Sequence, residues 1–290
     1  MNAIIGASGS GKSSLGIYLA KKFKLNIFSI DSLSIYKYID IASAKPSKDD
    51  LKQIKHYGID LLNPDEKCSA KLFFDLLKQT PQDRLLIVGG SSFYLKSIMD
   101  GLSPMPKSPN LIDLKLDSIV RNKQEAHKLL SKIDSNYASK INPNDKYRIK
   151  KALEIYFLTN KSPSEFFKQN KKEKLQTKIN IFELIKPKET LKSDIKIRVD
   201  SMLKNGIIDE VNFLKKNFKN SLTFRAIGIK ETLLYLENKL SLDELKEQIT
   251  KNTIALAKRQ TTFNRTQFSN VTRGNATELI NILEKYYENN

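Results

Sequence analysis

The sequence predicts an α/β fold, with a parallel sheet core interrupted by a helical insertion and completed by a helical C-terminal region. Three observations predict it. Short apolar runs at residues 2–5, 26–30 and 84–88 alternate with helical spacing. A lysine-rich stretch over residues 111–178 keeps helical spacing but has no such runs. Another apolar run at 180–185 then precedes a return to helical periodicity. This gives residues 1–110 and 180–290 as the core with its helical tail, and residues 111–179 as the insertion.

Taken in order, residues 2–5 are a buried strand and residues 6–11 a glycine-rich turn. From Lys12 a helix carries Leu15, Leu19 and Phe23 at i, i+4 and i+8. Residues 26–30 form a second strand that ends at Asp31, and residues 84–88 a third that ends at Gly89-Gly90. A helix follows through residues 94–99. Residues 103–110 contain three prolines and read as a connection. Within the insertion, Asn144 or Asp145 can cap a helix whose apolar stripe is Ile149, Leu153 and Phe157. Beyond the strand at 180–185, helices are expected over 191–204, 207–218, 230–236 and 242–268.

The composition narrows the class. Of 290 residues, 50 are Lys or Arg and 32 are Asp or Glu, a formal net charge of +18. Only eight of the basic residues are Arg. So many lysines reflect a compositional bias as well as a partner, and the excess over residues 136–178 and 251–273 points to a polyanion. Gly 11, Pro 9 and 40% hydrophobic residues exclude a disordered or collagen-like chain. No apolar run approaches 18 residues, and the N-terminus enters a glycine turn too early for a secretory signal. One cysteine, Cys68, excludes an internal disulfide and a cysteine zinc site. A cytoplasmic monomer is the expectation.

Gly6-Ala7-Ser8-Gly9-Ser10-Gly11-Lys12-Ser13 matches the phosphate-loop pattern G-x-x-x-x-G-K-[ST] between a strand and a helix, which makes the core P-loop NTPase-like. Backbone N–H groups of such a loop form an anion cradle, Lys12 adds a positive charge, and Ser13 can hold Mg²⁺. A dinucleotide fingerprint is excluded, since position 14 is Ser and Lys12-Ser13 has no role in one. The loop binds a di- or triphosphate such as ATP, without saying that a phosphoryl group moves. The 84–88 strand ends in Gly89-Gly90-Ser91, where an ATPase usually carries a magnesium-binding acid. The acid is Asp31, at the end of the second strand, where it can hold Mg²⁺, act as a general base, or cap the next segment.

The residues around Asp31 carry a resemblance. Asp31-Ser32, Tyr36 and the run Asp40-Ile41-Ala42-Ser43-Ala44-Lys45-Pro46 resemble the D-S-x-Q-x-Y…D-I-G-T-A-K-P signature of the tRNA dimethylallyltransferases (isopentenyltransferases). In sequence order, five further segments are similar to the same family. They are His56 to Asp60 with Pro64, Val88 to Ser91 with Tyr94, Asn144 to Glu154, Arg225 to Gly228, and Ala257 to Phe263. Arg198-Val199-Asp200-x-Met202 and Gly206…Glu210-Val211 match as well, so the resemblance covers nearly the whole chain. The chain departs from the family pattern at Ser34, Ser91, Tyr147, Lys151, Asp113, Ile229 and Phe263, most of which bear on tRNA contacts more than on the phosphate centre.

The resemblance implies transfer of a dimethylallyl group from dimethylallyl diphosphate to the N6 amine of the adenosine 3′ to the anticodon, position 37. It implies Asp31 as base, with Ser91 hydrogen-bonding the adenine or the base carboxylate. Lys12, Ser13 with Mg²⁺, Arg225 and Arg198 then neutralise the departing diphosphate. It further implies tRNA contacts at Asp31, Ser32, Leu33, Ser34 and Ser91, at Asp113, Tyr147, Arg148 and Lys151 in the insertion, and at Lys258, Arg259 and Arg265 on the last helix. There Lys251, Lys258, Thr262 and Arg265 share one helical face, with Ile249, Leu256 and Phe263 on another; an ordinary solvated lysine face has the same spacing. His56 reads as a packing or hydrogen-bonding residue and Cys68 as inert. A small-molecule kinase and an RNA-binding switch without chemistry are the rival classes.

Overall fold

The computed structural model describes residues 1–106, 110–219 and 221–289. The chain folds as two compact units, Met1–Asp100 with Leu175–Asn290, and Gly101–Lys174.

The first unit is built on a six-stranded sheet of β1 (Asn2–Gly6), β2 (Asn26–Ser29), β3 (His56–Tyr57), β4 (Leu85–Val88), β5 (Asn180–Leu184) and β6 (Val271–Gly274). The strand order is β3-β2-β4-β1-β5-β6 and every pairing is parallel. β1 and β4 are buried along their whole length, which is why both read as unbroken apolar runs. β1 lies inside the sheet and β4 inserts between it and β2; because these strands are parallel, the carboxyl ends of β1, β2 and β4 open on one edge, where ligands of such sheets sit. β3 and β6 are not legible in the sequence. One has two residues, the other is the half-polar VTRG, and each is held as an edge strand by backbone pairing to β2 or β5. The strand at 85–88 is therefore the fourth in the chain, not the third.

Early in the chain run helices α1 (Lys12–Phe23), α2 (Lys48–Gln53), α3 (Ala70–Gln79) and α4 (Ser92–Asp100). Gly11 caps α1 at φ 93°, a backbone that glycine adopts without steric cost, so the phosphate loop can turn directly into the helix.

The Gly101–Lys174 unit holds α5 (Asn110–Ile119), α6 (Lys123–Ile133), α7 (Ser135–Ala138), α8 (Lys146–Thr159) and α9 (Pro163–Gln169). Its own core gathers Leu116, Val120, Leu130, Ile149 and Leu153. Asp145, rather than Asn144, caps α8, accepting the Arg148 N–H at 3.0 Å. The expected stripe ends early: Phe157 is 40% exposed, and Ala152 and Ile155 are buried in its stead. The unit also begins before the expected residue 111 and ends before 179, because Leu102 and Glu173 exchange both backbone hydrogen bonds, at 3.0 and 2.9 Å, and close its stem. Residues 170–179 are not helical, since Lys171-Lys172-Glu173-Lys174 offers no apolar stripe. Of the proline-rich connection, residues 107–109 lie outside the described residues.

The chain then returns to the first unit with α10 (Lys188–Lys204), α11 (Ile207–Asn217), a short 3₁₀ helix (Leu222–Arg225), α12 (Ile229–Leu236), α13 (Leu242–Gln267) and α14 (Ala276–Glu288). α1 and α14 bury Leu15, Leu19, Leu279 and Leu283 with sheet residues Ile4, Ile27 and Leu86. α10 and α13 form a second core from Ile195, Val199, Leu245, Ile249 and Ala257 beside Ala7. The buried seam of α13 thus includes Ala257 and Asn264, whereas Leu256 and Phe263, expected to join it, line a cleft at the sheet edge. Residues 48–53, 70–79 and 276–288 form three helices beyond those expected from the sequence.

Candidate active site

A cleft of about 830 Å³ opens at the carboxyl edge of the sheet in the Met1–Asp100 and Leu175–Asn290 unit. Its floor is the phosphate loop. Gly9 and Gly11 both have positive φ, and Ser10 N–H closes the turn on Ala7 O at 3.1 Å. Ser10 Oγ is buried without a hydrogen-bond partner among the described residues. Lys12 Nζ lies 3.4 Å from Ala7 O. Burial drives the Lys12 pKa down from 10.5 to about 8, with the Asp31 carboxylate opposing that fall and the Arg198 guanidinium adding to it. Arg198, on α10, is itself pushed down by burial and held up by Asp31. One acid and two bases therefore share one desolvated space. Ser13 is exposed on the first turn of α1 and also lines the cleft.

Asp31 follows β2 at the facing wall. Its Oδ1 accepts the N–H groups of Leu33 at 2.9 Å and Ser34 at 3.2 Å, which fixes the carboxylate within its own turn. These bonds use one oxygen and leave Oδ2 for a ligand in the cleft. Ser91, just past β4, accepts the Ser32 N–H through Oγ at 2.9 Å, and its backbone N–H donates to Ile30 O at 3.1 Å. The Ser91 hydroxyl hydrogen remains a donor, although the bond that orients the residue runs to Ser32 and not to Asp31. A β-carbon on Gly89 would overlap the Ile30 carbonyl, so only glycine lets these strand ends approach. Ser32 is exposed and Leu33 half-buried, while Ser34 is 4% exposed with Oγ 3.1 Å from Ser29 Oγ. Arg225, at the end of the short 3₁₀ helix, and Arg259, on α13, are exposed and complete the cleft with positive charge.

One residue of this site has no role assigned from the sequence. Gln260 of α13 accepts the Ser8 N–H at 2.8 Å and donates to Gly90 O at 2.9 Å, tying the phosphate loop to the β4 end. A signal is present, since Gln260 stands in the Ala257–Phe263 segment, but no local pattern says what a lone glutamine will bridge.

Of the other candidates in this unit, His56 and Cys68 line the cleft, whereas Lys258 and Arg265 do not. Lys258 and Arg265 lie on the exposed face of α13. In the insertion unit, Tyr147 is 69% exposed on α8, Arg148 pairs with Asp145 at 2.9 Å, and Lys151 pairs with Glu154 at 2.6 Å. Asp113 lies 3.2 Å from Lys150. His56 Nδ1 is 2.8 Å from Ile54 O, and burial lowers its pKa. Burial pushes the Cys68 thiol up to about 11, which suits an unreactive cysteine. Among the described residues there is no cluster of three or more His, Cys, Asp or Glu side chains for a metal. Nor is any helix among them long and apolar enough to cross a membrane.

A family model, IPP transferase, matches residues 34–267. The chain belongs to the IPP transferase family. Among its relatives, the tRNA dimethylallyltransferase of Helicobacter pylori (strain J99) is 49% identical over 289 residues, covering 98% of this chain and 93% of the relative. That of Nautilia profundicola is 47% identical over 270 residues, 92% of this chain and 93% of the relative. Among solved structures, a eukaryotic dimethylallyltransferase acting on tRNA aligns with a TM-score of 0.81 at 27% identity, covering 96% of this chain and 74% of that one. A tRNA isopentenylpyrophosphate transferase from Staphylococcus epidermidis aligns at 0.65 and 29% identity, covering 100% and 99%. The P-loop NTPase-like core is the fold of these structural neighbours.

Proposed function

We propose that the chain transfers the dimethylallyl group of dimethylallyl diphosphate to N6 of the tRNA adenosine at position 37, 3′ to the anticodon, and releases diphosphate. One observation carries the proposal: Asp31 stands in the same cleft as the phosphate loop, close enough for its charge to act on Lys12 and Arg198. In the reaction the C–O bond to the diphosphate breaks, a C–N bond to the adenine amine forms, and that amine must lose a proton. Asp31 Oδ2 takes the proton. Leu33 and Ser34 hold the carboxylate in place, and the Ser91 hydroxyl can orient the incoming adenine. The leaving diphosphate accumulates charge that the loop N–H groups, Lys12, Arg198 and Arg225 stabilise.

The donor set fits magnesium held mainly by substrate oxygens and water, because the described residues offer the Ser13 hydroxyl and no carboxylate cluster. When bound, the ion neutralises charge on the diphosphate. β4, the neighbour of β1, ends in glycines and Ser91, consistent with a loop that holds a leaving group and cleaves no γ-phosphate. The target base must leave the anticodon stack to reach Asp31. The exposed Lys258, Arg259 and Arg265, with Asp113, Tyr147, Arg148 and Lys151 of the insertion, are the proposed tRNA contacts, and the enzyme acts as a cytoplasmic monomer.

The test incubates the chain with Mg²⁺, dimethylallyl diphosphate and an anticodon stem-loop, then digests the RNA and weighs its nucleosides. One dimethylallyl unit gained on adenosine, and lost in Asp31→Ala, is the expected result. No gain on several stem-loops, with ATP protecting the protein thermally as well as dimethylallyl diphosphate does, overturns the proposal in favour of a kinase.

A further inference from the structure

Beside the cleft lies an aromatic surface that this reaction does not use. Tyr38 sits on the turn between Tyr36 and Ala42, both of which line the cleft. Its backbone is left-handed at φ 65°, a conformation strained for a bulky residue and free for glycine. Such strain persists only where the surroundings impose it. Here Glu210 of α11 accepts the N–H groups of Asp40, Ile41 and Ala42 at 2.7, 2.7 and 2.9 Å. Lys45 Nζ donates to Tyr36 O at 2.7 Å, so the turn is pinned on both sides of Tyr38.

The ring that this framework holds is not buried. Tyr38 is 50% exposed and Phe213 of α11 44%. The Tyr38 ring leans on Phe213 and Phe218 at centroid distances of 5.4 and 5.9 Å. Leu222, four residues beyond Phe218, is also exposed and lines the cleft. Packing alone does not call for a strained backbone that leaves half of an aromatic ring in solvent, since glycine at 38 relaxes the backbone.

We propose that Tyr38, Phe213 and Phe218 form a stacking platform for an unpaired nucleobase of the RNA, next to the adenosine that enters the cleft. Aromatic faces stack any base, and a neighbour of a flipped base has lost its own stacking partner. The surrounding charge fits an RNA backbone: Lys216, Lys219 and Arg225 are exposed on the same segment of chain. The turn reaches the cleft within two residues on the Tyr36 side, about 7 Å of chain.

The platform rests on the proposed transfer to tRNA, so binding and transfer are read separately. Full-length wild type, Tyr38→Gly, Tyr38→Phe and Phe213→Ala are titrated against a fluorescently labelled anticodon stem-loop. Thermal unfolding is followed with and without dimethylallyl diphosphate. Tyr38→Gly weakens RNA binding about ten-fold, while its unfolding temperature holds or rises and protection by dimethylallyl diphosphate is unchanged. Tyr38→Phe binds like wild type and Phe213→Ala falls with Tyr38→Gly. A purely structural ring gives the reverse for Tyr38→Gly, a lower unfolding temperature with RNA binding intact, and that result overturns the platform. So does a wild-type chain that binds no stem-loop. A wild type that binds the stem-loop through Tyr38 but transfers nothing overturns the reaction and leaves the platform standing.

Discussion

The two walls of the cleft are built by different means. The phosphate wall is local: eight consecutive residues run from the end of β1 into the first turn of α1, and their backbone N–H groups and one lysine supply the binding chemistry. The facing wall is assembled from distant pieces. Asp31 leaves β2, Ser91 leaves β4 and grips Ser32, and Gln260 arrives from α13 to bridge Ser8 and Gly90. One wall therefore binds by sequence-local geometry, and the other works only if the fold brings its parts to the same edge. Substitutions on the two walls should separate binding of the donor from transfer.

The largest effect is expected at Asp31. Asp31→Asn keeps the size of the side chain and removes the proton acceptor, so kcat falls by roughly 10²–10⁴. Thermal protection by dimethylallyl diphosphate should persist. Loss of protection together with kcat would show that the walls are one unit.

Lys12→Met reverses the pattern. Charge-assisted hydrogen bonds to the diphosphate are lost, worth about 1.5–3 kcal/mol, or roughly a ten- to hundred-fold rise in the donor Kd. The wild-type residue also predicts two opposite pH trends. The folded, ligand-free chain releases the Lys12 proton near pH 8, the unfolded chain near 10.5. Between these values the unfolded state binds more protons, so the contribution of Lys12 to stability rises with pH, and below about 8 the cost of the buried charge is present in full. Diphosphate binding needs the ammonium and weakens as pH rises above about 8. Urea unfolding and diphosphate titration at pH 7 and 9.5 read both trends, and Lys12→Met should abolish both.

Gln260→Leu acts where the walls meet. It leaves the Ser8 N–H and the Gly90 carbonyl without their partner at a cost of about 1–2 kcal/mol. The donor KM should rise about five- to thirty-fold with a smaller fall in kcat. A fall in kcat with the donor KM unchanged would show that Gln260 serves the Asp31 wall and not the phosphate loop.

How much of this is legible in the sequence follows the same division. Residues 6–13 announce their role because the glycines, Lys12 and Ser13 stand at fixed spacing in one turn. The central strands announce themselves because burial on both faces demands continuous apolar runs. Asp31 is legible as an acid at a strand end, but its oriented oxygen depends on Leu33 and Ser34 N–H groups that no spacing rule displays. Gln260 is legible only as part of a segment. Strands β3 and β6 are invisible because their identity lies in the backbone of a neighbour. Glu210 reads as an ordinary helix acid, and only the fold reveals that it holds three N–H groups of the 40–42 turn.

The smallest expected effect lies outside both walls, two residues before Gln260. Lys258 is exposed on α13. It forms no part of the cleft lining, so Lys258→Ala should leave kcat and donor binding unchanged and act on RNA alone. A lysine that neutralises one phosphate releases about one condensed counterion, so its removal should lower the slope of log K against log salt by about 0.7 for a single-stranded loop or 0.9 for the stem. Affinity should drop modestly and equally for stem-loops of different sequence, because a phosphate contact carries no base information. An unchanged salt slope would assign Lys258 to the solvated face of an amphipathic helix, and the RNA contacts of α13 would narrow to residues that enter the cleft, Arg259 first among them.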